Sequence, residues 1–244
     1  MLELELPGLP EELDGLRIAH LSDFHLGFPS RGGLAVERAV EWVAERRPDL
    51  VLITGDLVAR NRGAQPLRRL LERLPRPVFA VLGNHDFGRA HSRDPFSRRS
   101  VVGDLGDAVL LRDDSRVVEV RGRRVQVVGV DPMTFRRRRA RPEQLVDEDA
   151  ELRILLSHYP RVVDSLPPGA FQLVLAGHIH AGQIVVPYPG GKLLLKEVRQ
   201  PYVDGLYLRP GGVLHVSPGL GTTFVPFRFF ARPEATELVL QSRG

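Results

Sequence analysis

The chain contains no cysteine, which excludes disulfides, thiol nucleophiles and thiolate metal ligands. Any bound metal must then be held by imidazole, carboxylate, amide or water. Lysine is nearly absent: only Lys192 and Lys196 among 34 basic residues, a bias toward arginine that reads as genome composition. No apolar run approaches the roughly 18 residues of a membrane-spanning helix. The opening stretch MLELELPGLPEELDGL is acidic and lacks the basic flank and apolar core of a signal peptide. A cytoplasmic location without a transmembrane segment is the expectation, with peripheral membrane contact left open. Low-complexity stretches and internal repeats are also missing, so the 244 residues read as one domain, 1–244. The formal charge of +4 and pI near 9.9 suit an anionic substrate and do not demand nucleic acid.

What the chain does have is a recurring break. Five apolar runs end abruptly in Asp or His: RIAHLSDFH (Asp23, His25), LVLITGD (Asp56), FAVLGNHD (Asn84, His85, Asp86), RILLSH (His158) and QLVLAGHIH (His178, His180). Short apolar runs bounded by Gly read as strands buried on both faces. Ligand sites in open α/β sheets lie outside the carboxyl ends of such strands, so separate ends can deliver polar residues to one cleft.

The spacing predicts strands at Leu16 to Ser22, Leu50 to Thr54 and Val78 to Leu82, joined by helices at about Gly33 to Arg46 and Gln65 to Leu74. Arg116 to Val130 alternates around Gly122 as a hairpin, and Pro142 to Ala150 reads as a short helix. Strands follow at Leu152 to Leu156 and Phe171 to Leu175, and the later runs QIVVP, KLLLKEV, VLHVS and TELVLQ are short and turn-bounded. The expected fold, of α+β or α/β class, is a four-layer αββα sandwich: two mixed β-sheets packed face to face and flanked by helices.

Two divalent cations about 3.5 to 4 Å apart need a bridging anion and a mixed oxygen and nitrogen shell. Asp56 is the natural bridge, in a GD turn where Gly55 lets the backbone come close. Asp23 and His25, two apart at a strand end, can chelate one ion, and His178 and His180 repeat that spacing. Asn84 offers an amide oxygen and His158 a further imidazole.

The order Asp-x-His, Gly-Asp, Gly-Asn-His-Asp, a lone His, then Gly-His-x-His resembles the calcineurin-like metallophosphoesterase superfamily. The resemblance implies one ion on Asp23, His25, Asp56 and His180, and a second on Asp56, Asn84, His158 and His178. GQIVVP, YVDGLY and VSPGLGTTFVPFRFF are similar to the bacterial phosphodiesterase branch likened to UDP-2,3-diacylglucosamine hydrolases, whose members commonly carry an N-terminal anchor. Implied is hydrolysis of phosphodiester or pyrophosphate bonds by water acidified between the metals. His85, inside a ligand motif but without an assigned ion, is free to act as general acid, and Asp86 would orient its imidazole. Mn²⁺ is the metal carried forward, with Fe, Zn, Ni or Co equally compatible with the donors. The implied partner is a phosphate-ester substrate, small or lipid-linked.

Other residues read more plainly. His20, His91 and His215 are expected to be packed or structural. The Arg136 to Arg139 run with Arg141 is expected to form a solvated loop rather than to steer a phosphate, and Phe224, Phe227, Phe229 and Phe230 to lie on an ordinary strand or covering loop rather than on an apolar lip. A nuclease of the same superfamily is the alternative enzyme, opposed by the lack of a strand-spaced basic and aromatic platform. A non-catalytic scaffold for protein partners would show degenerate ligands, and none is missing.

Overall fold

A computed structural model describes residues 1–87, 102–189, 191–194 and 200–242. Two six-stranded mixed sheets face one another. The first runs β1 (Leu2–Leu6), β14 (Thr236–Ser242), β2 (Leu16–Leu21), β3 (Leu50–Thr54), β4 (Val78–Val81), β5 (Val109–Leu110). The second runs β12 (Gly205–Arg209), β13 (Gly212–Val216), β9 (Leu173–Ala176), β8 (Leu152–Leu156), β7 (Arg123–Gly129), β6 (Asp114–Val120). A separate hairpin pairs β10 (Val185–Tyr188) with β11 (Gly191–Leu194). Strands β2 to β5 are parallel, as are β7, β8, β9 and β13, while β14, β6 and β12 are the antiparallel additions.

The apolar runs are central strands because both their faces are covered. Between the sheets, Ile18, Leu50, Leu52 and Phe79 meet Val125, Ile154, Leu173 and Leu175 in one core. On the outside of the first sheet, α1 (Gly32–Arg46) buries Val36, Ala39, Val40 and Val43, and α2 (Ala64–Leu71) buries Leu67, Leu70 and Leu71. The end of α1 is set by Arg47, whose left-handed conformation (φ 48°) precedes Pro48. Helix α2 stops three residues short of the expected Leu74.

The outer layer of the second sheet is thinner than expected. It consists of the one-turn α3 (Pro132–Arg136) and 3₁₀ turns at Pro142–Leu145 and Pro160–Ser165, which cover Val128, Leu155 and Val174. Each begins with proline, whose fixed φ starts a helical turn. The helix expected over Pro142 to Ala150 is thus only its first four residues. Strands β1, β5 and β12, at the sheet edges, were not anticipated as strands. His91 and the LKEV of KLLLKEV lie outside the described residues.

The topology places the motifs. Strands β2, β3 and β4 of one sheet and β8 and β9 of the other end at the same rim, and every Asp or His break follows one of these ends.

Candidate metal centre

The breaks are sharp because the backbone turns left-handed just beyond the strands. Asp23, His25, Asp56, His178 and His180 all have positive φ, between 46° and 77°. Such conformations cost of order 1–3 kcal/mol each in a non-glycine residue and cluster at functional sites. Two glycines make room. A Cβ at Gly83 would overlap Asp56 Oδ1, and one at Gly177 would overlap Ser22 Oγ and Asp23 Oδ2.

Each carboxylate has one oxygen anchored and one presented. Asp23 Oδ2 accepts from Ser22 Oγ (2.5 Å) and the His178 amide (3.0 Å), which it shares at longer range with Oδ1 (3.3 Å); Oδ1 lies 3.2 Å from His180 Nε2 and 3.9 Å from His25 Nε2. Asp56 Oδ1 accepts from the His85 amide (2.8 Å), leaving Oδ2 3.3 Å from His25 Nε2 and 3.4 Å from His158 Nε2. Two donor sets result. Asp23, His25, Asp56 and His180 converge at one point, and Asp56, His158 and His178 at another. Asn84 joins the second, its Oδ1 3.1 Å from His158 Nε2, which is also 3.1 Å from His178 Nδ1. Atoms held about 2.0–2.2 Å from a common cation lie roughly 3 to 3.5 Å from each other. The separations have that span except the wider 3.9 Å between Asp23 Oδ1 and His25 Nε2, so the donors fit a divalent cation at each point. His158 donates its Nδ1–H to the Thr54 carbonyl (2.9 Å), which turns the lone pair of Nε2 into the cluster.

Electrostatics favours the same forms. Burial opposes ionisation of Asp23 and Asp56, yet neighbouring histidines, His180 for Asp23 and His158 with His25 for Asp56, hold both carboxyls well below the usual range. Burial pushes His25 and His178 down to about 3. Ionised carboxylate and neutral imidazole are the states that ligate metals. His158 goes the other way. Burial would lower it, but the Asp56 carboxylate outweighs that and pushes it up to about 9, a measure of how strongly this corner calls for positive charge.

All seven predicted ligands therefore converge. His85 is half-buried at the rim, its ring 4.9 Å from that of His25 and 6.1 Å from that of Phe224. Asp86 does not orient it. The Asp86 carboxylate is buried and takes the amides of Leu57 (3.2 Å), Val58 (2.8 Å) and Gly83 (2.8 Å), clamping the Asp56 turn to the Asn84 turn. Burial, then the charge of Asp56, pushes Asp86 up to about 7.

His20 and His215 are packed, as expected, with their Nδ1 atoms 2.8 Å apart and His20 Nε2 2.9 Å from Thr54 Oγ1. The Phe224–Phe230 segment is no strand. Only an isolated bridge at Phe229 pairs it with Ile184, and Phe224, Phe227, Phe229 and Phe230 stand exposed.

Two residues that sequence reading left without a role position this loop. Arg228 lies behind His180, its guanidinium 3.0 Å from His180 Nδ1 and bonded to the carbonyls of Gly221 (2.8 Å) and His180 (3.2 Å). Gln183, itself at φ 51°, donates to the carbonyls of Thr223, Val225 and Phe227 and accepts from the Thr223 amide. The only sequence signal was the GQ after GHIH.

A calcineurin-like phosphoesterase family model matches residues 16–182. A transmembrane protein with metallophosphoesterase domain from Danio rerio is 32% identical across 98% of this chain, which spans just 56% of that protein's length. An uncharacterized metallophosphoesterase of Aquifex aeolicus is 31% identical, over 99% of this chain and 90% of its own. Among solved structures, the NAD nucleotidase of Haemophilus influenzae is similar in fold, with a TM-score of 0.51 at 14% identity over 84% of this chain and 45% of that one. Among the described residues, no helix is long and apolar enough to cross a membrane.

Proposed function

The chain belongs to the calcineurin-like phosphoesterase family, and from that premise we propose that it is a dinuclear metal-dependent hydrolase of phosphodiester or pyrophosphate bonds, with residues 1–244 acting as one unit. The observation that carries this reading is Asp56 Oδ2, which faces both donor sets at once. Asp23, His25, Asp56 and His180 would hold one cation, and Asp56, Asn84, His158 and His178 the other. Bound there, two divalent cations supply Lewis acidity, acidifying water for in-line attack and neutralising charge on the phosphoryl oxygens. Mn²⁺ is our choice among metals compatible with nitrogen and oxygen donors.

His85 protonates the leaving alkoxide. Its ring stands at the rim beside His25, accessible to a substrate oxygen, and its backbone amide is tied to Asp56 Oδ1, so proton donor and bridge are placed by one turn. Asp86 serves by fixing that turn through its three backbone contacts. The test is hydrolysis of bis(p-nitrophenyl) phosphate by Mn-loaded protein. His85→Ala should lower kcat by roughly 10²- to 10⁴-fold on a diester whose leaving group is a poorly leaving alkoxide, and far less on the p-nitrophenyl ester, with both metals retained in elemental analysis, while Asp56→Asn should lose metal as well as turnover. A folded, metal-loaded wild type without turnover rules the reading out.

A lipid-linked substrate is the second reading, favoured by Phe224, which is 73% exposed while its ring reaches His85. UDP-2,3-diacylglucosamine is one such compound for a substrate panel. Phe224→Ser with Phe227→Ser should then reduce turnover of an acylated substrate about tenfold or more relative to bis(p-nitrophenyl) phosphate, since each buried CH₂ contributes about 0.8 kcal/mol. An unchanged ratio, with unchanged liposome binding, excludes the lip.

A further inference from the structure

The arginine run is exposed, as expected, but its members do not share one surface. It splits: Arg137 lines a cleft beside Phe87 and Arg112, whereas Arg136, Arg138 and Arg141 join Arg161 around a cavity of about 690 Å³ on the other side. That cavity lies between the chain following α3 and the 3₁₀ turn Pro160–Ser165. Four arginines and one acidic residue line it. Asp164, the carboxylate, is already engaged, accepting the Tyr202 hydroxyl (2.5 Å) and lying 3.6 Å from Arg161 Nε. Arg141 is folded back onto the carbonyls of Ala140 (2.7 Å) and Arg138 (3.3 Å). Among the described residues no ion pair involves Arg136, Arg138 or Arg141. Like charges crowded in this way repel one another, and an anion between them relieves the repulsion.

The cavity shares a wall with the metal centre. Phe135, on its lining, stacks on Tyr159 with ring centroids 5.2 Å apart at 23°. Tyr159 in turn lies edge-on to His178 (4.6 Å) and His158 (5.2 Å). Arg136 is near enough for its charge to act on the Tyr159 hydroxyl. Two rings thus separate the arginines from the second donor set.

We propose that this cavity is a subsite for a second phosphate-type anion of the substrate, set apart from the scissile phosphorus by a spacer about as long as one sugar or nucleoside. Adjacent phosphates of a diphosphate lie too close together to straddle the Phe135–Tyr159 stack. Guanidinium groups bind phosphate oxygens in pairs, which a point charge on lysine would not reproduce. The inference rests on the hydrolase reading and narrows it to substrates with two separated anions.

The test uses two esters with the same leaving group and the same scissile diester: p-nitrophenyl thymidine 5′-phosphate with and without a 3′-phosphate. On Mn-loaded wild type the 3′-phosphate should raise kcat/KM about tenfold or more, mainly through KM, as expected of charge-assisted phosphate contacts. Arg136→Ala with Arg138→Ala should abolish that preference, and a surface control in α2, Arg69→Ala, should keep it. A thermal melt checks that each variant folds. Absence of the preference in wild type, or its full retention in the double variant, overturns the proposal.

Inorganic phosphate titrated into metal-free protein, read at the arginine Nε–H signals by NMR, separates the two readings. If neither ester is hydrolysed, the hydrolase reading fails; phosphate-induced shifts at Arg141 and Arg161 that are lost in the double variant then still support the anion site, and their absence in wild type overturns it. Phosphate-induced shifts without any preference between hydrolysed esters would assign the cavity to free phosphate and overturn its role as a substrate subsite.

Discussion

Gly177 shows how tightly single residues are fitted around the ligands. A methyl group there would occupy the space of Ser22 Oγ and Asp23 Oδ2, the pair that holds Asp23 with its other oxygen facing His180. Gly177→Ala should therefore displace Asp23. Misplacing a reacting group by about 1 Å can cost on the order of 10²-fold in rate, so kcat/KM should fall by that order while the far-ultraviolet spectrum is kept; a fully active variant would show that the turn can yield. The residues that converge at the rim were legible at this scale because Asp, Asn and His announce their chemistry. Asp86 was misread for a related reason. Its position next to His85 suggested a pair, but in a tight turn consecutive side chains diverge, and its oxygens went to the amides of Leu57, Val58 and Gly83.

Among elements, the long apolar strands and α1 were legible because burial on one or both faces writes itself into the pattern. Edge strands β1, β5 and β12 were not, since half-exposed residues carry weak periodicity, and the 3₁₀ turns have too few residues to show any. The Gln183 and Arg228 contacts were equally hidden, joining segments 40 or more residues apart. Arg228 is buried enough to lower its pKa to about 10, and its fork spans the back of His180 and two loop carbonyls. Lysine cannot make that set of bonds. Arg228→Lys should weaken metal affinity about 10- to 100-fold, the range for residues that orient a ligand, and competition with a fluorescent chelator would measure it. Affinity equal to wild type would show that His180 needs no support from this loop.

For the molecule as a whole, the two sheets meet at a buried histidine pair, His20 on β2 and His215 on β13. Burial pushes His215 down to about 4 and His20 well below its ordinary value. As pH falls, the unfolded chain takes up a proton near pH 6.5 and the folded chain only near 4, so the contribution of His215 is present above 6.5 and is lost between 6.5 and 4. That loss is on the order of 3 kcal/mol. In the presence of a chelator, the urea midpoint should drop over this window, and His215→Asn should flatten the drop. A variant with the wild-type pH slope would mean that the pair is protonated as readily in the folded state.

The same division bears on how the molecule comes together. Asp23, His25, Asp56 and Asn84 follow strands of the first sheet, whereas His158, His178 and His180 follow strands of the second, and neither donor set is complete on one side. A half-assembled chain can present carboxylates or imidazoles but never the full complement of either set. A complete donor set therefore exists only where the two sheets have docked, which ties the geometry of the centre to the integrity of the core between them.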